Sequence, residues 1–388
     1  MEATLQPADF ATDAPGSLVK ATQGYWTFVP NPLPPRLTLD LETIRRLSEA
    51  ERALGQLAGV GRMLPNPHLL VHPFLRREAV LSSQIEGTIA SLEQLALFEA
   101  SPPAETALQN VREVANYAKA MEHGLQRLKE LPVSLRLIRE VHEQLLRGVR
   151  GEEYRPGEFR QGQNFIAKPG QAIEDARFVP PPVPAMMQAL ADFEMYLHST
   201  SDLPGLVQLA LIHYQFESIH PFMDGNGRIG RLLIALLLCE RDYLSQPLLY
   251  LSAYFERNRD AYMDNLLRVS QLGAWSEWIK FFLRGVAEQS RDAVERSQRL
   301  LDLQQQYRTK VQTARASALL PKLVDQLFAS PAITIAQAKD RLGVTYRGAQ
   351  LNIAKLEKAG ILREYTAGSR NRIYIADGIL TALEQERM

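Results

Sequence analysis

The chain has 388 residues, which is too many for one small hydrophobic core and favours two or three domains. Its 44 Lys and Arg residues balance 44 Asp and Glu residues, so no overall charge draws the whole protein toward nucleic acid or a membrane. The single cysteine, Cys239, excludes an intrachain disulfide and a cluster of thiolate metal ligands.

The start of the chain lacks the basic and apolar stretches of a secretory leader. The longest apolar run, residues 232–239, is too short to span a bilayer. We therefore expect a cytoplasmic protein without a membrane segment.

Residues 1–37 are rich in Pro, Thr, Ala and Gly, and the prolines at 30–35 exclude a helix there. We expect this segment to wrap a surface in an extended form. Apolar spacing predicts a helix over 41–64 and a second over about 76–87, which ends at Gly87. Ser91, with Gln94 three residues later, forms a capping box that predicts the start of another helix.

The middle of the chain is predicted to be almost entirely helical. Helices are predicted over 105–129, 133–149, 181–199, 202–218, 228–242, 258–271 and 274–286. The exception is 164–180, where two short apolar pairs flank a Lys-Pro-Gly-Gln turn, which predicts a short hairpin.

Residues 287–318 are polar and helix-prone, and we interpret them as a connector helix. Residues 319–388 then show three helical patterns followed by strands at 361–365 and 372–375, around a tip at 368–371. That order is typical of a winged helix-turn-helix domain. From Lys310 onward, twelve Lys and Arg residues face seven Asp and Glu residues, and both DNA and a protein partner remain open for this domain.

Residues 220–231, HPFMDGNGRIGR, hold the strongest chemical signal. His220 precedes a proline and is therefore biased into a loop, where its imidazole can take a proton from a hydroxyl. Gly225 and Gly227 flank Asn226 and allow several amides to converge at a helix start, an arrangement that suits a phosphate. We expect Phe222 to lie in the core.

The charged residues of this stretch complete a phosphoryl-transfer site. Arg228 and Arg231 are three residues apart, hence neighbours on one helix, and a guanidinium suits two phosphate oxygens at once. Asp224 is the only carboxylate of the stretch, and it is the type of ligand that holds Mg²⁺ beside a pyrophosphate.

Nine of these twelve positions match the HPFx(D/E)GNGRxxR signature, so the chain resembles a Fic family protein over about 76–286. The resemblance implies a mainly α fold: a helical Fic core with a short β-hairpin flap, an N-terminal helical region and a C-terminal winged helix-turn-helix domain. We expect an N-terminal region over 1–100, a catalytic core over 101–286, the connector over 287–318 and the winged helix over 319–388.

The resemblance also implies a reaction and roles for individual residues. AMP would pass from ATP, with Mg²⁺ on Asp224, to a Ser, Thr or Tyr hydroxyl of a protein that includes the chain itself, with release of pyrophosphate. His220 would accept the proton and Arg231 would hold the γ-phosphate. The remaining expected phosphate-binding residues are Gly225, Asn226, Gly227 and Arg228.

Two further pairs fall at positions that matter in the family. Phe165 and Ile166 lie where a flap clamps the target by main-chain pairing, although the same pattern fits an ordinary surface hairpin. Tyr262 and Met263 lie where related proteins line the adenine pocket, although a tyrosine on an amphipathic helix also suits the core.

Ser82, Glu86 and Gly87 resemble the family's inhibitory motif, (S/T)xxxE(G/N), on a helix that precedes the core. The resemblance implies that Glu86 pairs with Arg231 and keeps the enzyme autoinhibited. The alternative is a solvated helix glutamate.

Three functions therefore remain open at the sequence level. The chain is an autoinhibited AMP transferase, or it removes AMP or uses another nucleotide donor, or it is a nucleotide-sensing DNA-binding regulator. The presence of His220 argues against the regulator, because a sensor needs no base. The target protein is not identified, and a homodimer is left open.

Overall fold

The computed structural model describes residues 6–63, 68–101, 109–168, 170–312, 319–366 and 372–385. These residues are mainly helical, with a two-stranded hairpin near the N-terminus and a three-stranded sheet near the C-terminus. The predicted mainly α fold is therefore confirmed. In that part of the chain, no helix combines the length and the apolar character that a bilayer crossing requires.

The helices follow one another along the chain with short connections. They are α1 (Leu41–Met63), α2 (His68–Ile85), α3 (Leu92–Ala100), α4 (Gln109–Arg127), α5 (Leu135–Leu146), α6 (Val183–His198), α7 (Gly205–Ile219), α8 (Asn226–Glu240), α9 (Ser252–Arg257), α10 (Arg259–Leu272), α11 (Trp275–Val311), α12 (Leu319–Ala329), α13 (Ile335–Leu342), α14 (Tyr346–Lys358) and α15 (Asp377–Glu384). The strands are β1 (Gly16–Lys20), β2 (Trp26–Pro30), β3 (Ala332–Thr334), β4 (Arg363–Glu364) and β5 (Ile373–Ile375).

The N-terminal segment differs from its prediction. Instead of only wrapping a surface in an extended form, it folds back so that β1 and β2 pair antiparallel. Phe28 is fully buried against Phe178, and the Phe28 amide donates to the Val179 carbonyl at 2.9 Å. The hairpin thus supports residues 178–179 through a small apolar cluster apart from the main core.

The second helix begins at His68, eight residues before the predicted start at 76. Pro73 lies inside it and removes one backbone donor, which is the reason that the sequence favours a later start. The burial of Leu70, Phe74 and Leu75 on this helix outweighs that loss.

The predicted connector helix is not a separate element. Helix α11 runs unbroken for 37 residues through the expected boundary at 286, and residues 313–318 of the predicted connector lie outside the described residues. Its second half buries Leu300 and Tyr307, and it packs along α1, α12 and α15. Because this segment is mostly polar, its sequence does not reveal the narrow stripe of buried residues along one side of the helix.

The C-terminal elements follow the order expected of a winged helix, with one addition. Helices α12, α13 and α14 precede the strands β4 and β5, and β5 pairs with both β4 and the unpredicted strand β3. Thr334 and Thr345 cap α13 and α14, and Gly343 ends α13 with a φ of +65°. The predicted tip at 368–371 lies outside the described residues.

Helices α7 and α8 form the centre of the molecule. Nearly every side chain on α8 is buried, and α7 is covered by α6, α8, α11 and β2. The loop between them, residues 220–225, is therefore held between two rigid helices.

Candidate active site

A cavity of about 280 Å³ opens beside the loop between α7 and α8. This volume lies near the lower end of the range for small-molecule sites. The cavity brings together most of the residues that the sequence analysis selected. Its lining includes His220, Asp224, Gly225, Asn226, Gly227, Arg231, Glu86, Phe165, Ile166, Tyr262 and Met263.

His220 ends α7 in the left-handed conformation, with a φ of +49°. Its Nδ1 lies 3.2 Å from the Glu217 carbonyl oxygen. Because a carbonyl only accepts, Nδ1 carries the proton and Nε2 keeps a free lone pair. Burial lowers the pKa of His220 to about 4, so the imidazole is neutral at pH 7 and can accept a proton.

Two buried side chains hold the main chain of this loop. Arg160 Nε and Asn164 Nδ2 each donate to the His220 carbonyl at 3.1 Å. Asn164 Nδ2 also donates to the Phe222 carbonyl at 2.7 Å. Burial lowers the pKa of Arg160 to about 10. The sequence analysis missed both residues, because a polar side chain that bonds only to main-chain carbonyls has no motif.

Asn226 closes the same loop on itself. Its Oδ1 accepts from the Phe222 amide at 2.8 Å, and its Nδ2 donates to the Phe222 carbonyl at 2.7 Å. The phosphate-site prediction concerned the amides around this residue, whereas its side chain has a positioning role.

His142 on α5 supports the loop from the opposite side. Its Nδ1 accepts from the Gly157 amide at 2.9 Å, so the protonated Nε2 donates to the Asp224 carbonyl at 3.0 Å. Its ring stacks on Phe222 at 3.7 Å, and Phe222 is fully buried, as expected. Burial lowers the pKa of His142 to about 4. His142 lies 82 residues before Asp224, too far along the chain for a local pattern to reveal the contact.

The start of α8 has the features of an anion site. Gly225 precedes the helix with a φ of +81°, and Asp224 Oδ1 accepts from the Gly225 amide at 2.6 Å. The first amides of a helix have no acceptor within the helix, and its dipole favours negative charge there. At Gly227, an added Cβ would stand 2.2 Å from Glu86 Oε1, so a larger residue there would displace the Glu86 carboxylate.

Glu86 and Arg231 form an ion pair inside the cavity. Arg231 Nη2 donates to Glu86 Oε1 at 2.7 Å and to the Ser82 carbonyl at 2.8 Å, and Nε donates to Ser82 Oγ at 2.9 Å. The Arg231 side chain is 2% exposed, and that of Glu86 is 32% exposed. Burial opposes the ionisation of Glu86, but the guanidinium outweighs it and holds the pKa of Glu86 below its usual value. Gly87 follows with a φ of +84° as the helix ends.

The expected phosphate contact of the Arg228 side chain requires a correction. Arg228 is 1% exposed and does not line the cavity. Its guanidinium instead lies 3.4 Å from Glu113 Oε2 and 3.3 Å from Asp224 Oδ1. Three residues along a helix correspond to a rotation of about 300°, and this offset turns Arg228 toward α4 while Arg231 faces α2.

Tyr262 matches both of the alternatives considered for it. Its ring is buried and stacks on Phe255 at 4.3 Å, and its hydroxyl bonds to His213 Nε2 at 2.8 Å. It also lines the cavity beside the partly buried Met263. An adenine-binding role for this pair remains a prediction.

The predicted flap is shorter than a regular hairpin. Ile166 and Phe178 form one antiparallel bridge, with the Ile166 amide donating to the Phe178 carbonyl at 2.8 Å. A 3₁₀ turn over Ile173–Asp175 lies in the return segment and interrupts the pairing. Phe165 is 40% exposed at the rim of the cavity.

Two family models match the chain. Residues 44–126 match the Fic/DOC family N-terminal domain, and residues 132–238, which include the stretch 220–231, match the Fic/DOC family domain. Over these two segments the chain is therefore similar to the Fic/DOC family. The segment that matches the Fic/DOC model contains α7, the loop with His220 and α8 as far as residue 238, whereas Glu86 lies in the segment that matches the N-terminal model.

Curated relatives of this chain carry informative names. A probable protein adenylyltransferase of Aquifex aeolicus (strain VF5) is 28% identical over 205 residues, which are 51% of this chain and 56% of the relative. Protein adenylyltransferase Fic of Drosophila virilis is 34% identical over 118 residues, which are 30% of this chain and 22% of the relative. The chain thus spans about half the length of the first relative and less than a quarter of the second.

One solved structure is similar along almost the whole chain. A Fic family protein from Desulfovibrio desulfuricans G20 aligns with a TM-score of 0.56 at 21% identity, covering 92% of this chain and all of that one. The two chains therefore share a fold.

Proposed function

We propose that this chain is an autoinhibited protein adenylyltransferase, which transfers AMP from ATP to a protein hydroxyl and releases pyrophosphate. One observation carries the proposal: a histidine with a free Nε2 and the phosphate-binding start of α8 line the same cavity. The names of the two curated relatives support the reaction class.

The proposed reaction needs a base and fixed positive dipoles. The target hydroxyl gives its proton to His220 Nε2 while its oxygen forms a bond to the α-phosphorus. The bond from that phosphorus to the oxygen bridging the α- and β-phosphates breaks, and the electron pair leaves with pyrophosphate. The amides at the start of α8 would stabilise the phosphate charge as fixed dipoles that need no reorganisation during the reaction.

Asp224 is suited to hold Mg²⁺. Its side chain is 30% exposed at the cavity, and one of its oxygens is fixed by the Gly225 amide and by Arg228. Among the residues that the structure describes, no group of three or more His, Cys, Asp or Glu side chains could hold a metal by itself. That agrees with Mg²⁺, which takes one or two carboxylates and completes its shell with phosphates and water. When bound, the ion would supply positive charge beside the phosphates.

Autoinhibition follows from the Glu86–Arg231 pair. In this proposal Arg231 is the ligand of the γ-phosphate, and Glu86 both neutralises that guanidinium and places a negative charge where the phosphate must lie. Activation then requires Glu86 to leave.

In this proposal, residues at the rim of the cavity contact the target protein and the adenine of ATP. The exposed Phe165 and the bridged Ile166 would pair with an extended segment of the target through the main chain. Met263 and the edge of Tyr262 would face adenine.

We further propose that residues 319–388 dock a partner. Helix α14 exposes Tyr346, Arg347, Lys355 and Lys358, a basic face of the kind that enters the major groove of DNA. By contrast, Arg372 lies 3.4 Å from Glu364, and this ion pair makes Arg372 less available to contact a phosphate. A gel shift whose affinity falls as salt rises would support DNA as the partner, and the absence of such binding would favour a protein.

The decisive experiment is self-labelling with α-labelled ATP, UTP or GTP. We expect label from ATP in the Glu86→Gly variant and none after the further change His220→Ala. If the double variant labels as strongly as Glu86→Gly, His220 is not the base. Stronger labelling from UTP or GTP would identify that nucleotide, instead of ATP, as the donor. No labelling from any nucleotide would contradict the proposed activity.

A further inference from the structure

Glu217 is a buried carboxyl group to which the proposed reaction assigns no role. It lies in the last turn of α7, is 11% exposed and lines the cavity. Its Oε1 is buried and has no hydrogen-bond partner among the residues described. A buried carboxyl oxygen without a partner is costly, and such groups often have a functional reason.

The neighbouring helix α8 leaves space for this carboxyl. An added Cβ at Gly230 would stand 2.2 Å from Glu217 Oε1. Any larger residue at position 230 would therefore displace the carboxyl from its place beside the cavity.

Glu217 also faces the imidazole of His220. Its Oε2 lies 4.0 Å from His220 Nδ1, and its own carbonyl oxygen accepts the Nδ1 proton at 3.2 Å. A shift of the carboxylate by about 1 Å would bring Oε2 within hydrogen-bond distance of the same proton.

We propose that Glu217 is a positioning residue for His220, and that its carboxylate supports the imidazole through Nδ1 while Nε2 takes the proton of the target hydroxyl. The inference rests on the proposed adenylyltransferase activity. As the oxygen–phosphorus bond forms, His220 becomes an imidazolium that carries protons on both nitrogens. The Glu217 carboxylate then stabilises that positive charge without taking a proton, and the imidazolium later releases the Nε2 proton to solvent or to pyrophosphate.

The physical need for this partner follows from the burial of His220. Burial lowers the pKa of His220 to about 4, and so weak a base gains little by taking a proton at neutral pH. A carboxylate beside Nδ1 favours the charged imidazole and raises its basicity, as the third group of a catalytic triad does.

Glu86 governs the charge of Glu217 in the paired state. Burial raises the pKa of Glu217 to about 8; Arg231 lowers it and the Glu86 carboxylate raises it. At neutral pH Glu217 is then mostly protonated and cannot support an imidazolium. When Glu86 leaves, a negative neighbour is removed and the pKa of Glu217 falls. Glu86 thus controls His220 through Glu217 as well as by covering Arg231.

The charged and titratable groups that face this pair come from several elements. Arg231 comes from α8, Glu86 from the end of α2 and Tyr262 from α10, and Arg160 and Asp224 act on His220 from the adjoining loops. Every protein in the comparison carries Glu86→Gly and keeps the other groups. The proteins therefore differ only at position 217.

The experiment compares Glu86→Gly with Glu86→Gly/Glu217→Gln, in the full chain, by the rate constant of self-labelling with α-labelled ATP as a function of pH. We expect Glu217→Gln to lower the rate constant by about tenfold or more and to leave the half-saturating ATP concentration nearly unchanged. We also expect the acidic limb of the pH profile to move to lower pH, because His220 loses the carboxylate that favours its charged form. Glu240→Gln, at the far end of α8, is the matched control and should change neither quantity.

The possible results separate the two proposals. An acidic limb at the same pH with and without Glu217 would overturn the role of Glu217, even if the rate fell. No labelling by Glu86→Gly itself would instead contradict the adenylyltransferase activity. If Glu217→Gln is poorly folded, Glu217→Asp and a ¹⁵N NMR titration of His220 in Glu86→Gly replace it. A pKa of His220 that does not respond to the change at 217 would again overturn the proposal.

Discussion

Glu86 and Arg231 lie 145 residues apart in the chain, yet their side chains meet at 2.7 Å. The carboxylate directly follows α2, and the guanidinium stands in the second turn of α8. Ser82, one turn before Glu86, satisfies two further donors of Arg231. Helix α2 and the turn that follows it therefore supply the acceptors at Ser82 and Glu86, and the inhibition depends on the position of that helix.

The first prediction concerns relief of this contact. We expect Glu86→Gly to label itself about tenfold to a hundredfold more strongly than the wild type, because Arg231 is then free to bind the γ-phosphate. A fully buried pair would predict a larger increase, but the pair is partly exposed and therefore weaker. The measurement is the initial rate with α-labelled ATP. Gln84→Gly is the control, since it introduces a glycine two residues away, in the last turn of α2, but lies outside the cavity. Equal labelling of wild type and Glu86→Gly would remove the inhibition from the proposal.

The second prediction concerns the pH dependence of the same pair. The pKa of Glu86 is lowered in the folded state, so the pair stabilises the protein above the unfolded pKa, and this is lost as pH falls through the folded pKa. We expect the difference in unfolding free energy between wild type and Glu86→Gln to shrink as the pH falls below about 4.

Urea unfolding at a series of pH values measures this difference. Glu143→Gln removes an exposed pair with Arg147 and should change the unfolding free energy little at any pH. A difference for Glu86→Gln that grows toward acidic pH would show that the carboxyl is not ionised against Arg231.

The third prediction concerns His142, which holds the loop from α5. We expect His142→Ala to lower the unfolding free energy by about 2–4 kcal/mol, because it removes two buried hydrogen bonds and the ring that stacks on Phe222. Labelling in the Glu86→Gly background should fall as well, since Asp224 loses its support. His198→Ala, at the exposed end of α6, should do neither. Full labelling by His142→Ala would show that α8 alone positions Asp224.

The fourth prediction concerns the support of the flap by the N-terminal hairpin. We expect Phe28→Ala to loosen residues 166–178 locally, because Phe28 forms the apolar cluster beneath Phe178. Hydrogen exchange should accelerate at the amides of Ile166 and Arg177, which donate to the Phe178 and Ile166 carbonyls, and should stay slow in α8. Val19→Ala, on the exposed face of the same hairpin, is the control. Unchanged exchange at the bridge after Phe28→Ala would mean that the flap is held by other contacts.

Local patterns in the sequence determined much of this protein. The residues 220–231 are contiguous, so their chemistry could be inferred from residue types and spacing, and apolar spacing located most helices to within a few residues. The N-cap at Ser91 appears where its side chain predicted it. In each of these cases the interacting groups lie within a few residues of one another.

Tertiary structure alone decided which side chains reach the cavity. Arg228 and Arg231 look alike in the sequence, but the packing of α4 and α2 turns one toward Glu113 and the other toward Glu86. His142, Arg160 and Asn164 act on a loop that lies 56 or more residues away in the chain. Such contacts arise from how helices pack, and burial then sets the protonation of His220 and Glu217, so neither spacing nor composition could reveal them.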